Sequence, residues 1–196
     1  MSPEAQQLLE SAERVQAACE LEDGLPARGG LLARALAELL RDGELGAASP
    51  RALWNLLWLA GDLTVHVDVY RAEELLGAVE RLFERHLARA LDAPGEAQAA
   101  AEMAFDFFFN RPAGTQPLES LRFDAVVATL ERVLKLDNRY CRRAALHGLG
   151  HLRQHHAEPP RRERIESVID AFIAETAGVD PQLAGYAAHA RCGDIL

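Results

Sequence analysis

Three cysteines in 196 residues, Cys19, Cys141 and Cys192, are too few, too scattered and odd in number to frame a disulfide scaffold, and no Cys-x-x-Cys pair occurs. Reduced thiols in a cytoplasm are the expectation. No apolar stretch approaches the ~20 residues that cross a bilayer, and the first residues show no basic segment followed by an apolar one, so neither a membrane span nor a secretory leader is expected. Catalytic signatures are missing too. No Gly-x-Ser-x-Gly elbow occurs, and Arg28-Gly29-Gly30 lacks the Lys-Ser/Thr sequel of a phosphate loop and has no strand before it. Basic excess is absent: Lys+Arg 21 against Asp+Glu 30 leaves a net charge of −9, which argues against sequence-independent DNA binding. What is present is apolar residue, at 49%, enough for one packed core.

Strand signals are equally scarce. Only Leu63–Tyr70 alternates apolar and polar residues, and a lone strand has nothing to pair with, so it reads as an extended or helical connection. Elsewhere Ala and Leu recur at three and four. Ser2-Pro3, Ser49-Pro50 and Asp180-Pro181 each set a capping side chain before a proline at the first helical position, where its missing N–H costs nothing. Asp92 and Asp137 suit the same role, while Gly24, Gly43, Gly61 and Gly178 read as helix stops.

The caps at 2, 49, 92, 137 and 180 are separated by 47, 43, 45 and 43 residues. Between them fit second helices near 26–42, 69–91, 118–136 and 160–177, so the unit is a helical hairpin repeated at a near-constant interval. Small residues recur in register: Ala100, Ala145 and Ala188 lie eight after their caps, and Gly150 and Gly193 thirteen after theirs.

The helix from Asp137 to Leu152, with Asp137, Arg142, Ala145, Leu149 and Gly150 at the pattern positions, resembles the second helix of a HEAT repeat; the last unit carries Gly185 in place of the Arg. The resemblance implies an all-α, right-handed α-solenoid of about four to five hairpins, one domain over residues 1–196, acting as a protein-binding scaffold. HEAT-like iron hydroxylases use His-Glu dipeptides, and none occurs here, so their catalytic residues do not carry over.

On a helical wheel centred on Ala145, Cys141, Leu149, Leu152 and His156 form the buried stripe, and Tyr140, Arg143, His147, His151 and Gln154 lie opposite. Cap register sets Glu102 and Asp106 beside His147 and His151 on one flank, and Asp194 beside His151 on the other, with Tyr186 near. This row on a concave face is the candidate partner-binding site. An ordinary solvated face with ion pairs is the plainer reading. The four-residue spacing of His147 and His151, with carboxylates from Glu102 and Asp106, also suits a metal, though no cofactor is expected.

Residues 1–48 carry nine acids and four arginines, whereas 138–164 carry seven arginines and two acids, with four of the seven histidines. An acidic half attracts a basic protein partner. The expected function is therefore a non-enzymatic interaction module, with an immunity protein or antitoxin of bacterial type as the alternative and a His/carboxylate metal-dependent enzyme as the remaining possibility. Trp54 and Trp58 fall near the buried stripe, and the run Phe105–Phe109 spans too much of a wheel to be wholly buried.

Overall fold

The computed structural model describes residues 1–14, 25–43, 45, 48–66, 69–88, 105, 120–155 and 158–195. Asp92, Ala100, Glu102, Asp106, Phe107–Phe109, Cys19, Gly24 and His156 lie outside them. The described residues form an all-α fold. Its helices are α1 (Pro3–Arg14), α2 (Leu25–Asp42), α3 (Pro50–His66), α4 (Val69–Leu82), α5 (Ser120–Leu134), α6 (Arg139–His155), α7 (Pro159–Thr176) and α8 (Pro181–Cys192). A π-helical turn, Phe83–Leu87, prolongs α4. No helix among the described residues is long and apolar enough to cross a membrane.

The capping side chains act at three of the expected positions. Ser2 Oγ accepts from Ala5 N–H at 3.2 Å, Ser49 Oγ from Ala52 N–H at 3.1 Å, and Asp180 Oδ1 from Leu183 N–H at 3.0 Å. At α6 the cap is Asn138, not Asp137. Asn138 Oδ1 accepts from Tyr140 and Cys141 N–H at 2.9 and 3.0 Å, while the exposed Asp137 carboxylate meets Arg142 at 3.5 Å. An amide oxygen serves a cap as well as a carboxylate does, and only the backbone decides which of two adjacent candidates stands there. The shift realigns the small residues: Ala145 and Ala187, both wholly buried, now lie seven after their caps, and Ala188 is exposed. Gly61 does not stop α3, which runs on to His66 and takes in half of the alternating stretch. Leucines stay buried along α3 as far as Leu63, so tertiary packing outweighs the modest helix penalty of one glycine.

Packing follows two successions. The capped helices meet one another, α1 on α3 and α6 on α8, while the intervening helices meet in order, α2 on α4 and α4 on α5, with a slighter contact of α5 on α7. The capped helices α1, α3 and α6 each also pack on the helix that follows them. Phe105 is buried and stacks on Phe83, with centroids 5.1 Å apart and planes at 22°.

Candidate functional site

The site lies along the seam between α6 and α8. Asp180 and Pro181 start α8, and Gly193 ends it at φ 72°, the left-handed region that favours glycine. Gly150 sets the separation of the two helices. A Cβ there would lie 2.5 Å from Ile195 Cδ1 and 3.2 Å from Ala190 Cα, so only glycine permits this approach without displacement.

Along the seam α6 presents Arg139, Arg143, His147 and His151 at four-residue spacing, one above another on a 3.6-residue helix. Arg139 reaches Asp180 at 3.2 Å and donates to Gln182 Oε1 at 2.8 Å. One turn on, the Arg143 guanidinium lies over the Tyr186 ring, 4.7 Å from its centroid. Tyr186 Oη is 2.7 Å from His147 Nδ1, and His147 Nε2 is 3.2 Å from His151 Nε2. The two imidazoles meet edge to face at 83°, with the His155 ring 6.3 Å beyond His151. Gln154 donates to the Gly193 carbonyl where the seam closes.

The structure therefore joins Arg143, His147, His151 and Tyr186, four of the residues expected together. Tyr140 is half-buried against the core rather than fully displayed. Asp194 does not meet His151: it faces His189 Nδ1 at 3.4 Å. Glu102 and Asp106 fall outside the described residues. His147 differs most from its expected place. Its position opposite the Cys141–Leu149 stripe implied solvent, yet it is only 5% exposed. A wheel with one buried stripe suits a helix covered on one side. Here every residue from Ala144 to Gly150 is buried, because α5, α7 and α8 all pack on α6 and Phe105 Cβ stands 2.7 Å from where a Gly148 Cβ would be. Arg139 was overlooked, although its spacing of four from Arg143 marks the same stripe. Arg142 turns the other way and donates from Nε to the Leu136 carbonyl at 2.7 Å, bracing the α5–α6 turn.

Cys141 offers no nucleophile. Burial of its sulfur pushes the thiol up to about 12, so it stays protonated at neutral pH. Among the described residues no three His, Cys, Asp or Glu side chains converge on one point. The seam combines hydrogen bonding and cation–π contact with two imidazole nitrogens facing each other. A separate cleft of about 570 Å³ opens between α5 and α7, floored by Leu134, Val168 and Phe172 and edged by the Glu131–Arg164 pair at 2.8 Å.

Compared with models of known families, with curated proteins and with solved structures, the chain matches none.

Proposed function

We propose that this chain is a HEAT-type array of helical hairpins that works without catalysis, binding a protein partner through the α6–α8 seam. The array reading is supported by the pairing of capped helices with capped helices and of the others in order. The concave placing of the seam comes, like the right-handed turn of the array itself, from the HEAT resemblance.

One observation carries the binding role: Arg143, the Tyr186 ring and His147 form a fixed series across two helices, the cation 4.7 Å from the ring and the ring's hydroxyl 2.7 Å from a buried imidazole. Tyr and Arg dominate interface hot spots, and side chains already held in place lose little entropy on binding. Tyr140 and His151 extend the same surface. The net charge of −9 favours a partner that is basic overall, and neutralisation of a toxin is the specialised form of this role.

Affinity purification from the native host, with mass spectrometry, identifies the partner. Its affinity is then measured for Arg143→Glu and for a control, Arg81→Glu, on exposed α4 surface. A hot spot worth about 2 kcal/mol predicts a loss of roughly 30-fold for Arg143→Glu alone. Equal affinity for both variants removes the seam as the binding surface.

A further inference from the structure

We infer that His147 and His151 form a two-nitrogen chelate for a divalent transition ion of the class that imidazole prefers, Zn(II), Ni(II) or Cu(II). The inference rests on the side-chain geometry and stands apart from partner binding. Imidazole nitrogens lie about 2.0–2.1 Å from such an ion, so two of them subtending an angle between octahedral and tetrahedral stand about 2.9–3.4 Å apart. The His147 and His151 Nε2 atoms are 3.2 Å apart. They reach that spacing from positions four apart on one helix, held by the rigidity of α6.

The outer partner is in place as well. Tyr186 Oη sits 2.7 Å from His147 Nδ1. With the proton on Nδ1 and donated to the tyrosine oxygen, His147 Nε2 carries no proton and can ligate an ion, the tautomer in which metal-bound histidines are usually held. His147 is buried and His151 half-buried, so the pair lies at the wall of the seam with one ring toward solvent. An ion entering past His151 replaces the single hydrogen bond between the rings with two coordinate bonds; the proton that His151 Nε2 donates in that hydrogen bond moves through solvent to its Nδ1, and water completes the ion's shell. The exposed His189 and Asp194, 3.4 Å apart, are a competing site among the described residues.

The test is a calorimetric titration of untagged, full-length protein with ZnCl₂ up to about millimolar ion. One equivalent should bind, weakened in His151→Ala by at least the ~10-fold that loss of even an outer partner costs, and unchanged in His189→Ala. No uptake, equal uptake by His151→Ala, or loss in His189→Ala overturns the assignment. Should His151→Ala fail to fold by circular dichroism, Ni(II) added to the wild-type protein decides the matter by NMR. Ring signals of His147 and His151 should broaden first, and earlier broadening at any other histidine overturns the assignment.

Discussion

The helices up to residue 88 and those from residue 120 onward pack by different means. In α2, α3 and α4 leucines supply most of the buried volume, with Leu36, Leu39, Leu40, Leu56, Leu57, Leu59, Leu63 and Leu75 all at 0% exposure beside the smaller Ala37, Ala52, Ala60 and Ala72. In α6 and α8 the buried residues include Ala144, Ala145, Gly148, Gly150, Ala187 and Ala190, and ion pairs tie α6 to α7 and α7 to α5. Arg153 meets Glu166 at 3.3 Å and Arg164 meets Glu131 at 2.8 Å. Leucine interfaces gain free energy from area and tolerate small slides, because the hydrophobic effect has no direction. Small-residue interfaces gain less from area but fix the separation and register of two backbones. Fixed register is what holds Arg143, Tyr186 and His147 at their distances, so the candidate site lies in the part of the fold with fewer leucines.

The largest test of this contrast is Leu56→Ala in α3. Removing a wholly buried leucine should cost about 2–5 kcal/mol, from lost transfer energy plus a cavity, measured by urea unfolding. A cost below about 1 kcal/mol would mean that the leucine-filled region collapses around the gap and is packed less tightly than described.

Glycine substitutions sharpen the comparison, because the two regions should answer with opposite sign. A Cβ at Gly148 would lie 2.7 Å from Phe105 Cβ and 3.0 Å from Leu130 Cδ2, so Gly148→Ala should destabilise by about 1–3 kcal/mol. At Gly77 in α4 a Cβ meets nothing within 4 Å, and Gly77→Ala should stabilise by about 0.5–1 kcal/mol through reduced backbone entropy of the unfolded chain. Thermal melts of the two variants side by side give the sign directly.

The smallest effect belongs to the exposed Asp170–Arg191 pair. Hydrogen bonding to Arg191 holds the Asp170 carboxyl below its usual value. A lowered carboxyl pKa stabilises above its unfolded value, and that contribution is lost as pH falls through the folded one. Solvent screens the pair, so Asp170→Asn should change the melting temperature only slightly near pH 7, with the difference from wild type vanishing in acid. A difference that grows as the pH falls would contradict this sign.

Much of the helical order is legible in the sequence. Ser2, Ser49 and Asp180 carry their caps in the side chain itself, and Pro3, Pro50 and Pro181 mark the first helical turn wherever the chain goes afterwards. The second helices expected near 26–42 and 160–177 appear as Leu25–Asp42 and Pro159–Thr176, because apolar periodicity is a local property. The site is legible only in part. The 43-residue interval from Asp137 to Asp180 brings Arg143 to Tyr186, within one residue of the interval between the true caps, and the four-residue spacing brings His147 to His151. The choice of Asn138 over Asp137 was not legible, since both side chains can cap and only the backbone path selects one.

By itself, then, the sequence determined where helices begin, which residues recur in register, and that one stretch of α6 concentrates arginine and histidine. Only the tertiary structure decided how many sides of α6 are covered. Periodicity along one helix records the face it turns to a core, but His147 meets Tyr186, 39 positions away in the chain, and Gly148 meets Phe105, 43 positions away. Those contacts are set by how closely Gly148 and Gly150 let other parts of the chain approach α6, a distance that no local pattern encodes.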